Sequence, residues 1–326
     1  VNSLKTHPEN FALKTDTRTP SPIPFAQPTE GDICPRRAHA SSLLAIARLS
    51  AIAGITAFFF LLFLAVRWFL FNARKRCRWT AVAFHYWSRC LCRILGIRVR
   101  HKGPLPTSGS LIAPNHLGYA DILAMGAVTP CLMVARQDLA SWPIAGRILQ
   151  SLELPRVSRF KARDLVQTGG QIKACLLKGQ SVCVFLEGTS TGGDRVLPLF
   201  SPLLQPAIDC GADVVPAAFR WRTRHPGIQI AEDIAYWKDH QFGRHFWRFL
   251  GLQGIEVEIM FGKPHPASDW DRKQLAERIR EWIVRLYALE ESQPNMDWDE
   301  MPSPLLEALP QCECAASGRL AMDASD

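Results

Sequence analysis

Two short stretches carry residues whose types and spacing can do chemistry. In "PNHLGYAD", His116 and Asp121 stand five apart where a strand gives way to a helix. Five steps along a straight helix turn the side chain about 140° away, whereas i and i+4 share a face. His116 therefore belongs to the loop, with Asp121 in the first helical turn behind it. There a carboxylate can accept the Nδ1 proton, fix the tautomer and leave Nε2 as a general base near neutral pH. The plainer reading makes Asp121 a cap of "ILAMGAV" and His116 an ordinary loop residue. The second stretch, "SVCVFLEGTSTGGDR", spells G-x-S-x-G from Gly188 to Gly192. In a serine esterase that pattern holds the nucleophile on a strand-to-helix elbow. Here two glycines and Pro198 follow Ser190 where the helix should begin, and no His-Gly-Gly-Gly stretch precedes it. Glu187 is then the residue of interest in this stretch, and Ser190 the alternative.

Four blocks in order resemble the glycerolipid acyltransferase family, the 1-acylglycerol-3-phosphate acyltransferases and their relatives. N-H-x4-D is matched by Asn115, His116 and Asp121, and a strand ending in Arg by "LPRVSR" with Arg159. The usual F-P-E-G-T-R is similar to Phe185, Leu186, Glu187, Gly188, Thr189 and Ser190, and the V-P strand to Val215 and Pro216. The resemblance implies transfer of a fatty acyl group from an acyl-CoA or acyl carrier protein thioester to a lysolipid hydroxyl. It implies His116 as general base, oriented by Asp121, with no covalent intermediate, no metal and no cofactor besides the donor. Arg159 would bind an anionic group of the acceptor. Glu187, Gly188 and Thr189 would meet its headgroup, while Asn115, Val215 and Pro216 would shape the pocket. Ser190 replaces the Arg common in such chains, and Arg195 is the candidate to substitute for it. "EGTSTGGDRVLPL" also resembles the version in lyso-ornithine-lipid acyltransferases, whose headgroup needs fewer Arg contacts. A serine esterase using Ser190 and a catalytically silent membrane-binding relative are the competing classes.

Positioning such residues requires strands that end in loops. From Gly96 onward, short apolar runs alternate with helical segments, which predicts an α/β domain with a mainly parallel sheet and flanking helices. "IRVRHKG", "SLIAPNH", "CLMVARQ", "LPRVSRF", "SVCVFLEG", "DVVPAAFRW" and "IEVEIMFG" read as strands. "DILAMGAV", "SWPIAGRILQSL", "ARDLVQTGGQIKACLLK" and "SPLLQPAIDC" read as helices. A last helix follows Ser268, with Asp271 as a capping partner and Leu275, Ile279, Trp282 and Leu286 as its buried stripe.

Ahead of that domain, eighteen uncharged residues lie between Arg48 and Arg67, at the lower limit for crossing a hydrocarbon core of about 30 Å. They predict a membrane anchor that spans the bilayer or lies in one leaflet. "TAVAFHYWSRCLCRILGI" continues it as an amphipathic, interfacial helix with Trp87, Leu91, Ile94 and Leu95 on one side. The expected organisation is a disordered leader over 1–41, anchoring helices over 42–97, the acyltransferase domain over 98–292 and an acidic flexible tail over 293–326. Net charge is +8, and no Asp or Glu occurs from Ile33 to Ala120, while basic residues crowd Arg67 to Lys102. That cluster directly follows the apolar run, which favours anionic lipid headgroups over nucleic acid and a catalytic domain facing the cytoplasm. Ten cysteines without any C-x-x-C predict reduced thiols rather than zinc ligands or a disulfide framework.

Overall fold

Short runs of buried apolar residues form the middle of a mixed sheet, and a computed structural model of the chain describes residues 23–24, 40–136, 154–157 and 162–288. In chain order the elements are β1 (Ile23–Pro24), α1 (Ser42–Phe69), α2 (Ala73–Leu95), β2 (Arg98–Lys102), β3 (Leu111–Pro114), α3 (Tyr119–Val128), β4 (Leu132–Met133), β5 (Ala135–Arg136) and β6 (Arg156–Val157). There follow α4 (Ala162–Leu177), β7 (Val182–Cys183), β8 (Arg195–Val196), α5 (Gln205–Cys210), β9 (Asp213–Thr223), α6 (Phe242–Leu250), β10 (Ile255–Phe261), β11 (His265–Pro266) and α7 (Arg272–Ala288). The main sheet runs β2-β10-β9-β3-β7-β4, with β11 also on β9. β3 pairs parallel with both β9 and β7, β4 with β7, and β2 with β10. Only β10 and β11 run antiparallel to β9 in this sheet. The predicted, mainly parallel α/β architecture is what the chain builds.

All four residues of β3 are buried, as a strand flanked on both edges and covered on both faces requires. On one face, α3 carries Ala124 and Met125 into a core with Phe219, Trp221, Val257 and Phe261. Burying a side chain the size of Phe219 stabilises the fold by roughly 1.5 to 3 kcal/mol. α7 covers the other face, burying Leu275, Ile279, Trp282 and Leu286 as the periodicity predicts. Its start differs from the expectation. Asp271, not Ser268, receives the first free amides, those of Lys273 and Gln274, at 3.2 and 3.4 Å. Ser268 sits in a separate short turn and bonds Asp269 instead.

α1 and α2 form an antiparallel hairpin. Ser41 caps the first and Asn72 the second, each side-chain oxygen accepting amides that the opening turn leaves unpaired. The Trp87 indole donates to Thr56 Oγ1 at 3.0 Å between them. Arg48, expected to flank an apolar span, is instead 8% exposed and donates to the carbonyls of Leu250 and Leu252. The outer side of α1 stays apolar and open, with Leu43, Phe58, Leu61 and Trp68 at 81, 58, 65 and 80% exposure. α1 is long and apolar enough to cross a membrane by length and composition. α2 begins seven residues before the predicted amphipathic segment. Its apolar side is taken up by the domain, since His85 Nδ1 meets Gly126 O at 2.7 Å and Cys92 Sγ lies 3.7 Å from Leu123 O.

Other departures are local. "SVCVFLEG" is strand only at Val182 and Cys183, because the chain turns at Phe185 to Gly188. "SPLLQPAIDC" opens as a 3-10 turn before α5. The expectations place no element at α6, although Phe242, Phe246, Phe249 and Leu250 recur at helical spacing in "FGRHFWRFL". The leader, expected without structure, pairs Ile23–Pro24 antiparallel with β8 and ends in the Ser41 cap of α1, while its residues 1–22 and 25–39 lie outside the described residues. So do the "SWPIAGRILQSL" helix and the acidic tail.

Candidate active site

His116 and Asp121 sit where β3 ends and α3 begins, as their spacing predicts. His116 Nδ1 lies 3.0 Å from Asp121 Oδ2. The same oxygen accepts from the amides of Leu117 at 2.6 Å and Gly118 at 2.9 Å. Asp121 Oδ1 accepts from the Trp221 indole at 2.8 Å. Asp121 is fully buried, and a carboxylate has lone pairs for all four donors. With Nδ1 donating to Asp121, Nε2 is the ring nitrogen left to accept a proton. The imidazole stacks on Phe185, centroids 3.8 Å apart, and its side chain is 19% exposed.

The loop that carries His116 is held from several sides. Glu187 Oε1 accepts from His116 N and Oε2 from Leu197 N, each at 2.9 Å. Thr191 N donates to His116 O at 2.9 Å, and Tyr236 N to Leu117 O at 2.8 Å. Gly118 passes so close to Tyr236 that a Cβ would stand 2.8 Å from its backbone nitrogen. Asn115 is fully buried, and its Oδ1 accepts from Phe219 N at 2.7 Å, tying the loop to β9.

Glu187 is 8% exposed. Burial pushes its carboxyl up to about 8, and Asp121 adds to that, while the Leu197 and His116 amides and the Arg280 guanidinium pull downward. Arg280 comes from α7, is itself buried and donates to Val196 O at 3.2 Å. Both Glu187 oxygens are engaged by backbone amides, so this carboxylate holds the His116 loop from within the protein. Gly188, at φ 71°, lets the chain turn left-handed just after it, and Gly188 and Thr189 are exposed.

Ser190 does not form a nucleophile elbow. Its Oγ donates to Tyr236 O at 2.5 Å, and coil leads to β8 where an elbow requires a helix. Arg195, the candidate replacement for the missing Arg, is exposed and engaged by its neighbour Asp194, with Nε at 2.7 Å. Val215 and Pro216 do not line a loop wall. They are buried within β9, opposite Ile112 and Ala113 of β3. Pro216 is tolerated in mid-sheet because β10 pairs with β9 only from Ala217 onward and β11 only up to Val214. Arg159 lies outside the described residues.

Sequence reasoning missed Trp221, Tyr236, Thr191 and Arg280. Trp221 had the one available signal, a large polar-tipped aromatic at the end of a buried strand, where an indole N–H needs a partner.

Residues 96–220 match the family model described as Acyltransferase. The 1-acyl-sn-glycerol-3-phosphate acyltransferase of Neisseria gonorrhoeae is 30% identical over 201 residues, 60% of this chain and 75% of that protein. The lyso-ornithine lipid O-acyltransferase of Pseudomonas aeruginosa is 27% identical over 201 residues, 62% of this chain and 76% of that one. Among solved structures, the 1-acyl-sn-glycerophosphate acyltransferase of Thermotoga maritima has a TM-score of 0.54 at 17% identity, covering 76% of this chain and 97% of that chain. That last likeness is one of fold. The protein is an acyltransferase. More narrowly, the chain belongs to the glycerolipid acyltransferase family, as the four sequence blocks imply.

Proposed function

We propose that this protein transfers a fatty acyl group from a thioester to the hydroxyl of a membrane lysolipid, with a 1-acylglycerol-3-phosphate or a lyso-ornithine lipid as acceptor. The observation that carries the catalytic part is the 3.0 Å contact between His116 Nδ1 and a buried Asp121 whose oxygens meet three further donors. His116 Nε2 takes the acceptor's hydroxyl proton as that oxygen attacks the thioester carbonyl. Asp121 stabilises the imidazolium that forms. The tetrahedral intermediate collapses, the carbon–sulfur bond breaks, and the departing sulfur takes the proton back from His116. The ester and a free thiol result. Glu187 acts by holding His116 N, and so fixes where the imidazole points.

The names of the matched relatives support a lysolipid acceptor, and acyl-CoA or an acyl carrier protein is the donor. α1 lies along the membrane in one leaflet rather than crossing it. In support, α2 is paired against α1 and exposes Arg74, Lys75, Arg78, Arg89 and Arg93, which belong among headgroups.

The test is a panel of lysophosphatidate, lyso-ornithine lipid and lysophospholipids, each with acyl-CoA and acyl carrier protein thioesters. Turnover of one acceptor that His116→Ala abolishes and Ser190→Ala leaves intact is the expected result. Turnover that survives His116→Ala, or labelling of Ser190 by a fluorophosphonate, defeats the mechanism.

A further inference from the structure

Among the described residues, one corner of the sheet stays uncovered and carries a charge pattern that the chemistry at His116 does not use. Side chains alternate across β2, β10 and β9, so Val99, Val257 and Trp221 face α3 while their neighbours point the other way. On that second face stand three columns: Arg98, Arg100 and Lys102 on β2, Glu256 and Glu258 on β10, and Arg220 and Arg222 on β9 with Arg224 just past its end. Six cations thus surround two carboxylates. Ion pairs knit the columns, Arg98 to Glu256 at 3.5 Å, Lys102 to Glu258 at 3.3 Å and Arg220 to Glu258 at 3.9 Å, with Arg224 also on Glu256. The carboxylates are largely covered, whereas Arg98 and Arg224 keep 61 and 58% of their side chains open, and Arg100 and Arg222 are exposed too. The face is therefore net positive.

Its place decides what it can meet. The open apolar side of α1 belongs to the opposite layer, because α2 packs between α1 and α3. A lipid surface that receives α1 leaves this face toward water. A nucleic-acid backbone fits it poorly, since Glu256 and Glu258 stand in the middle column where phosphates would run. The inner edge reaches the catalytic loop: Arg220 donates to Tyr287 O, Tyr287 OH donates to Gly193 O at 3.2 Å, and the same loop's Thr191 N donates to His116 O.

We propose that this ladder is the docking surface for a soluble acidic protein that presents the acyl chain as a thioester. The proposal rests on the thioester-transfer reading above and selects a carrier protein over free acyl-CoA as the partner of this face. Complementary charge chiefly raises the encounter rate and makes it salt-sensitive.

Steady-state kinetics of the full chain in lipid vesicles, with acyl-CoA and acyl-carrier-protein thioesters of one chain length, test it. Arg100→Glu with Arg222→Glu raises KM for the carrier thioester about tenfold and leaves KM for acyl-CoA unchanged. Arg100→Ala with Arg222→Ala gives a smaller rise of the same kind if the reversal disturbs folding. Added salt raises the wild-type KM for the carrier thioester more than for acyl-CoA. Equal effects on both donors, no effect, weaker vesicle binding by the variants, or turnover of acyl-CoA alone overturn the proposal. Failure of the wild type with both donors overturns the thioester-transfer reading itself, a different outcome from failure of the variants to discriminate.

Discussion

The His116 loop and the outer side of α1 are opposite solutions to the placing of side chains. In the loop, Asp121 meets four donors and Glu187 meets two amides, and the partners from outside the loop are Trp221 of β9 and Leu197 beyond β8. The chain completes this region by itself. Along α1, Leu43, Phe58, Leu61 and Trp68 stand open, and only the inner side is tied down, by Arg48 and by α2. Among the described residues nothing covers that side, and the proposed reading has lipid cover it. Under the proposed function, rigidity is concentrated where the proton would move, and open apolar surface where lipid would be met.

Changes at either region sharpen the contrast, and the largest effect is expected in the loop. Asp121→Asn keeps the size of the side chain but removes the charge that the imidazolium needs, so kcat falls about a thousandfold with the fold intact. Activity within tenfold of wild type would show that Asp121 is only a cap. On α1, Phe58→Ser with Leu61→Ser weakens vesicle binding about a hundredfold, each apolar side chain contributing roughly 1.5 kcal/mol, and leaves detergent-solubilised turnover unchanged. Unaltered flotation with vesicles would contradict the reading of that surface.

Trp221→Phe returns to the loop with a smaller change. It keeps an aromatic ring and deletes one N–H to Asp121, so kcat drops about tenfold while KM for both substrates holds. A purely structural role would lower the melting temperature without moving the pH profile, whereas loss of this donor moves the acidic limb. Glu187 gives the mildest readout. Its folded-state value, pushed up to about 8, lies above that of an unfolded chain near 4.5. Its contribution to stability is therefore complete below about pH 4.5 and is lost as pH rises through about 8, at up to about 1.4 kcal/mol per unit. Melting curves across that window should flatten in Glu187→Gln, and an unchanged slope would show that another group sets it.

The sequence reveals the local half of this arrangement. A five-residue spacing across a strand end places His116 and Asp121 because both lie on one short piece of backbone. The stripe of α7 is legible because its period is that of the helix. Trp221 is not legible as a partner of Asp121, because one hundred residues separate them and no period links a strand to the helix facing it. Glu187 is visible by its motif, but its two amide partners belong to tertiary structure, and the motif does not show them. Pro216 reads as a loop or edge residue because nothing in the chain announces that β10 and β11 leave a gap opposite it.

The contacts around His116 also set a time at which the site can exist. Its loop is fastened by residues as far along the chain as Thr191, Trp221 and Tyr236, and Glu187 is balanced by Arg280 in the last described helix. A nascent chain that has emerged only through β7 owns both His116 and Asp121 but none of these fasteners. Activity therefore arrives late in synthesis, all at once, and a fragment truncated before β9 is silent rather than partly active.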